Sequence, residues 1–236
     1  MSSTKPMTDL IRELFSTPLK EDEAAFVYMG YSGVLAMTSE AAIVIDLADL
    51  LDTKEIQAIR RLDAILFTHS HGDHYKQDEA LALFEATNAP ILAEGSVAAN
   101  LKDRVPGEKL ISVKVGKSYS VGRIRIGVIN GIHRGPNNLF HIDTGRIRIF
   151  HGADSAYVSV KPYKADLAFV PTGSPSPTAS PADACKTVTE LQAKVAVAIH
   201  GSDAQNAEFE KLVKATMPQT RVVIGKPREL RNVTFT

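Results

Sequence analysis

The sequence predicts a single α+β domain in which mixed sheets are covered by helices. Three observations carry that expectation. Short, almost wholly apolar runs at 41–46, 64–68, 165–170 and 195–199 read as strands buried on both faces, and segments with helical apolar spacing lie between them. Between 123 and 149 the pattern changes to period two, as in antiparallel strands with one wet face. No stretch of the chain reads as a linker, an internal repeat or a low-complexity tract, so one domain spanning 1–236 is expected.

Taken in order, Leu10, Ile11, Leu14 and Phe15 offer an amphipathic turn or two. Strands are expected at 24–29 and 34–37, with Gly30 and Gly33 bracketing a turn around Tyr31, and a third at 41–46. Thr53 is a suitable N-cap for a helix with Ile56, Ile59 and Leu62 on one side. That helix leads into the strand 64–68. Residues 78–87 read as a helix striped by Ala80, Leu83, Phe84 and Thr87, and 90–93 as a strand. Ser96 then caps a helix running towards Asp103, and Pro106-Gly107 marks a turn.

In the period-two region Ile124, Ile126 and Val128 alternate with Arg123, Arg125 and Gly127. Ile147 and Ile149 alternate with Arg146 and Arg148 beyond a turn at Asp143-Thr144-Gly145. The arginine row is expected to be a solvated sheet face rather than a nucleic-acid patch. After the strand 165–170 comes a long loop of small residues, 172–180. Ser180, Pro181 and Asp183 close it as N-cap, first-turn proline and capping-box acid of a helix that buries Ala184, Val188 and Leu191. The strand 195–199 ends in His200-Gly201. A last helix carries Phe209, Leu212, Val213 and Met217 on one face, and strands at 222–224 and 230–235 finish the chain.

Composition sets wide bounds. Apolar residues make up 44% and charged residues 23%, as in ordinary globular proteins, while 27 basic side chains balance 27 acidic ones. No global field therefore favours nucleic acid or an anionic membrane. The single cysteine, Cys185, excludes an internal disulfide framework and suits a reducing compartment; it is expected to be a buried structural thiol. No basic-then-apolar leader precedes the first strand, and no apolar run approaches the roughly 18 residues of a membrane span. The expected location is the cytoplasm.

The chemistry concentrates at Thr68-His69-Ser70-His71-Gly72-Asp73-His74, directly after the apolar run Ala64-Ile65-Leu66-Phe67. Imidazole nitrogens and carboxylate oxygens are the ligands that zinc, manganese and iron accept. Four such groups so close in sequence do not comfortably surround one ion, but they can begin two adjacent sites. Of seven histidines, four remain: His133, His141, His151 and His200. His133 and His200 stand where a strand gives way to a loop, as the packet does, and so does Asp154. Histidines 141 and 151 are expected to support the sheet or the ligands instead.

This ordered set, His69-x-His71-x-Asp73-His74, then His133, Asp154 and His200, resembles the metallo-β-lactamase superfamily over most of the chain. The likeness implies a four-layer αββα sandwich with a dinuclear metal site. It further implies one ion on His69, His71 and His133, a second on Asp73, His74 and His200, and Asp154 bridging them. Within the superfamily, Tyr28-Met29-Gly30-Tyr31-Ser32-Gly33 and the Pro171-Thr172-Gly173 to Pro181 loop resemble the small hydrolases related to L-ascorbate-6-phosphate lactonase. That branch commonly has histidine at the place of Tyr31, threonine at that of Ser155 and glycine at that of Ala153.

The implied activity is metal-dependent hydrolysis. Two divalent ions, zinc first with manganese and iron as alternatives, would share a hydroxide that attacks a carbonyl or phosphoryl centre of a small anionic substrate, a lactone or a phosphodiester. Asp73 and Asp154 would be the catalytic carboxylates, with Asp73 orienting the water or passing on its proton. Tyr31, Arg134 and Lys161 are candidates for substrate contact. Nuclease action on RNA or DNA is the main competitor; neutral net charge and the lack of a spare domain-sized segment speak against it. A non-catalytic metal-binding member of the fold is another alternative. Oligomeric assembly is left open.

Overall fold

The computed structural model describes residues 5–235, so both ends of the expected 1–236 domain lie outside the described residues. Those residues form two compact units, one running to Ser112 and including Lys226–Thr234, the other comprising Val113–Gly225.

The first unit contains α1 (Met7–Ser16), β1 (Glu23–Gly30), β2 (Gly33–Thr38), β3 (Ala42–Ile45), α2 (Thr53–Ala58), β4 (Ala64–Phe67), α3 (Gln77–Thr87), β5 (Ile91–Ala93), α4 (Gly95–Leu101) and β6 (Leu110–Ser112). The second contributes β7 (Ser118–Val121), β8 (Ile124–Asn130), β9 (Asn138–Asp143), β10 (Arg148–His151), β11 (Leu167–Pro171), α5 (Pro181–Leu191), β12 (Val195–Ile199), α6 (Asp203–Thr216) and β13 (Arg221–Ile224), and β14 (Glu229–Thr234) returns to the first. Two mixed seven-stranded sheets result. The molecule has the α+β architecture that the sequence predicts.

In the first unit the sheet runs β14-β1-β2-β3-β4-β5-β6. Pairings from β14 to β3 are antiparallel and those from β3 to β6 parallel. Helices α1–α4 pack on alternate strand residues, Ala25, Val27, Val44, Ile65 and Phe67 among them. The N-terminal apolar cluster is more than a turn or two. Met7, Ile11 and Leu14 recur at helical spacing and are buried, which stabilises a ten-residue helix.

Two caps differ from expectation. Asp52, not Thr53, caps α2: its carboxylate accepts the Glu55 N–H at 2.8 Å while the Glu55 carboxylate accepts the Asp52 N–H at 2.9 Å. That helix stops at Ala58, so Ile59 and Leu62 are buried from the extended segment that follows. Glu94, not Ser96, caps α4, accepting the Ser96 N–H at 2.9 Å. Strands β6 and β7 had no sequence signal, being short and only partly buried at the sheet margins.

The second sheet runs β13-β12-β11-β10-β9-β8-β7, antiparallel from β7 to β10 and parallel from β10 to β13. Each sheet thus has the same succession of antiparallel then parallel strands, a topological repeat without a matching repeat in sequence. Helices α5 and α6 cover its core, which takes in Cys185 as a buried thiol. Ser180 caps α5 as expected, accepting the Asp183 N–H at 3.2 Å.

The arginine row is interleaved with acids. Arg125 stands opposite Asp143, and Asp143 opposite Arg148. Arg148 Nε lies 3.1 Å from Asp166 Oδ2, whose other oxygen is 3.8 Å from Lys194 Nζ. Such half-exposed pairs contribute little stability singly, but they cancel the basic stripe. Among the described residues no helix is long and apolar enough to cross a membrane.

Candidate metal centre

In the first unit, parallel pairing of β3 with β4 brings their C-terminal ends to one edge of the sheet. Asp46 follows β3 and the histidine packet follows β4. Asp46 is fully buried with φ +50, a left-handed conformation that Asp tolerates better than most residues. Among the hydrogen bonds its carboxylate accepts are those from Thr68 N–H at 2.8 Å, Thr68 Oγ1–H at 2.6 Å and His74 Nδ1–H at 2.8 Å.

These contacts set the protons. Thr68 has one hydroxyl hydrogen, and an ionised carboxylate accepts but does not donate. The hydrogen therefore points to Asp46, and the 3.0 Å contact between Thr68 Oγ1 and His69 Nδ1 has the imidazole as donor. His69 and His74 each spend Nδ1–H on an oxygen, leaving Nε2 as the lone-pair nitrogen, the arrangement used by metal-bound histidines. His69 Nε2 lies 3.1 Å from His71 Nδ1. Two nitrogens on one tetrahedral zinc, at about 2.0–2.1 Å each, are separated by roughly 3.3 Å. Asp73 Oδ2 is 3.7 Å from His74 Nε2, and its side chain is 35% exposed. Next to the packet, Tyr75 packs edge-on against Phe67. Burial first, and the nearby Asp78 charge second, push its phenol pKa up, so it stays neutral.

The second unit repeats the device. Strands β8, β10, β11 and β12 point the same way, so their C-terminal ends share an edge. His133 follows β8, Asp154 follows β10, Thr172 follows β11 and His200 follows β12. Asp154 presents one oxygen to each histidine: Oδ1 is 2.8 Å from His200 Nε2 and Oδ2 is 3.9 Å from His133 Nε2. A carboxylate placed this way is suited to bridging.

Local ties hold the three. Ala153 has φ +50, and its N–H donates to His151 Nδ1 at 3.2 Å. Ser155 Oγ accepts the Ile132 N–H at 2.8 Å and donates to Ala156 O at 2.6 Å, joining the loops of His133 and Asp154. The His200 carbonyl accepts N–H groups of Thr172 at 3.0 Å and Gly173 at 2.6 Å. A Cβ on Gly201 would fall 1.8 Å from Thr172 Oγ1 and 2.4 Å from Asn206 Oδ1, so any larger residue here must displace one of those side chains.

His69, His71, Asp73, His74, His133, Asp154 and His200 are all candidate metal-binding residues, and their imidazole and carboxylate donors suit zinc, manganese or iron. Tyr31 stands at the β1–β2 turn with φ +49 and is 47% exposed, its carbonyl accepting the Tyr28 hydroxyl. Arg134 is exposed beside His133. Lys161 lies near Glu190 in the last turn of α5, a helix roughly 16 Å long whose other end meets the 172–180 loop. There the Glu190 carboxyl pKa is raised by desolvation but lowered further by Tyr157, the Val160 N–H, Lys161 and Ser159, with a net fall. His141 bonds the Lys164 carbonyl at 2.8 Å and serves the sheet.

Sequence reasoning missed Asp46, Thr68 as an orienting hydroxyl, and Thr172 with Asn206. An acid ending an otherwise apolar strand was the available signal for Asp46. The others have no local signature.

A family model described as the beta-lactamase superfamily domain matches residues 44–201. A UPF0173 metal-dependent hydrolase of Thermus thermophilus is 32% identical over 199 residues, covering 73% of this chain and 81% of that protein. Among solved structures, the metallo-hydrolase Igni18 of Ignicoccus hospitalis superposes with a TM-score of 0.75 at 18% identity, over 91% of this chain and all of that one. The metallo-β-lactamase fold protein YhfI of Bacillus subtilis superposes with a TM-score of 0.69 at 17% identity, over 90% of this chain and all of that one.

Proposed function

The chain belongs to the β-lactamase superfamily, and from that premise we propose that it is a metal-dependent hydrolase whose two units are the halves of one 1–236 domain. In this reading His69, His71 and His133 hold one divalent ion. Asp73, His74 and His200 hold a second, with Asp154 shared between them. The observation that carries the proposal is the proton arrangement around Asp46. It leaves Nε2 of His69 and of His74 as lone-pair nitrogens on buried rings, the orientation that a bound metal ion would use.

Two divalent ions held by these residues, zinc first among them, would supply a nucleophilic water near neutral pH and would polarise a carbonyl or phosphoryl oxygen. The chain's own residues do the rest. Asp154, with its oxygens turned towards His133 and His200, fixes the spacing of the ligand sets. Asp73, more exposed than the buried ligands, orients the attacking water and takes up its proton. Arg134 and Tyr31 are the proposed contacts to a small anionic substrate, a lactone or phosphodiester. Lys161 is the weaker candidate because it lies near Glu190, at the end of α5 opposite the 172–180 loop. The interleaved acids along the arginine row favour this reading over nuclease action.

Elemental analysis of the purified protein, with a panel of lactone and phosphodiester substrates and a His69→Ala control, tests the proposal. Two equivalents of metal, and turnover that the control abolishes, are expected. Turnover that survives the substitution would mean a contaminant or a different site.

A further inference from the structure

The Ser/Pro-rich loop between β11 and α5 fastens onto two candidate ligands of its own unit. Thr178 Oγ1 donates to the Asp154 carbonyl at 2.6 Å, and Ser176 Oγ donates to the same oxygen at 2.8 Å. A carbonyl oxygen has two lone pairs and accepts both. Thr178 Oγ1 also lies 3.1 Å from His133 Nδ1. Its single hydrogen is already committed to Asp154, so in this contact the imidazole donates and the hydroxyl oxygen accepts. Ser176, only 5% exposed, backs the arrangement from 3.3 Å, with its own hydrogen likewise directed at Asp154.

We propose that Thr178 is a positioning residue that sets the His133 tautomer, Nδ1–H and Nε2 lone pair, and ties it to the backbone of Asp154. One hydroxyl then coordinates two ligands drawn from different strand ends. The proposal rests on the metal-dependent reading above. It assigns the loop a structural part in building the site, distinct from any contact with substrate. The chemistry parallels Thr68, where a hydroxyl whose hydrogen is spent on an oxygen takes the Nδ1–H of His69. The two threonines lie in different units at unrelated sequence positions, so the shared solution comes from the proton count and not from a motif.

The test uses the full chain, freed of metal by chelation, with long-range proton–nitrogen NMR of the histidine rings near pH 8 and zinc affinity from competition with a chromophoric chelator. In the unsubstituted protein the His133 signal is expected to be the Nδ1–H tautomer. Thr178→Val, which keeps the shape and removes the hydroxyl, is expected to shift His133 towards Nε2–H and to weaken zinc about 10–100-fold, the usual effect of losing a group that orients a ligand. Thr178→Ser, which restores the hydroxyl, is expected to stay within about threefold of the parent on the same scale. Finding Nε2–H in the unsubstituted protein would overturn the proposal without recourse to a variant. So would unchanged tautomer and affinity in Thr178→Val, or a loss in Thr178→Ser equal to that in Thr178→Val. An Nδ1–H signal that responds to Thr178→Val in a chain that binds no zinc would uphold the Thr178–His133 link and refute the metal reading instead.

Discussion

Replacing one oxygen of Asp46 by nitrogen should be felt at two histidines. Asp46→Asn preserves size, and Asn accepts φ near +50 as readily as Asp does, so the backbone is spared. What changes is proton traffic. The carboxylate takes hydrogens from Thr68 N, Thr68 Oγ1 and His74 Nδ1; the amide has one acceptor oxygen and an NH2 that must face one of these donors. The Thr68 N–H can only donate, so the amide oxygen takes the place of Oδ1 and the NH2 that of Oδ2, which Thr68 Oγ1 and His74 Nδ1 share. The NH2 then donates to Thr68 Oγ1, whose own hydrogen turns to His69 Nδ1, and to His74 Nδ1, driving both imidazoles to the Nε2–H form. Both candidate ligands then present N–H instead of a lone pair.

Losing one such orienting contact costs about 10–100-fold in metal affinity, equivalent to about 1.4–2.7 kcal/mol. Stability of the metal-free chain should fall by about 1–3 kcal/mol, the cost of one buried donor left unmatched. Zinc competition titrations and thermal melts of the metal-free protein read the two quantities separately. A variant whose zinc affinity stays within about twofold of the parent, against the expected tenfold or more, would refute the tautomer argument, whatever its melting temperature.

Three further expectations follow from particular contacts. Asp154→Ala removes the carboxylate that faces both His133 and His200, so bound metal should drop below two equivalents with turnover falling at least about 100-fold; two tightly held ions and full activity would discard the bridging role. Glu79 is 5% exposed, and its pKa is raised above 4.5 chiefly by burial, against opposing backbone hydrogen bonds from Leu50, Leu51 and Asp49. Its folded state therefore binds a proton more tightly than its unfolded state, and its contribution to stability is present below pH 4.5 and lost as pH rises through the higher folded value. The melting temperature of Glu79→Gln relative to the parent should accordingly climb as pH increases above 4.5; a difference independent of pH would contradict the assignment. Gly201→Ala must displace Thr172 or Asn206, at about 1–3 kcal/mol of overpacking, lowering Tm by several degrees, and an unchanged Tm would show that the turn yields more easily than its contacts imply.

Much of this molecule was legible one residue at a time. Apolar runs such as 64–67 and 195–199 became buried strands because a sheet covered on both faces demands continuous hydrophobicity. Ser180 and Pro181 marked the start of α5 because capping is local chemistry. The packet 69–74 reads as candidate metal ligands because three imidazoles and a carboxylate so close together are the donors a metal ion accepts. Boundaries were less secure where two acceptable caps stood side by side. Asp52 prevailed over Thr53 because only it forms the reciprocal pair with Glu55.

What only the tertiary structure decided is which distant residues stand beside the candidate ligands. Asp46 and His74 are 28 positions apart, and His133 and Thr178 are 45 apart. No periodicity encodes such meetings; they follow from parallel strands that bring their C-terminal ends to one edge of a sheet. Sequence determined the kinds of donor and their places at strand ends. The folded chain determined which nitrogen of His74 and of His133 faces an oxygen, because those partners, Asp46 and Thr178, come from distant parts of the chain.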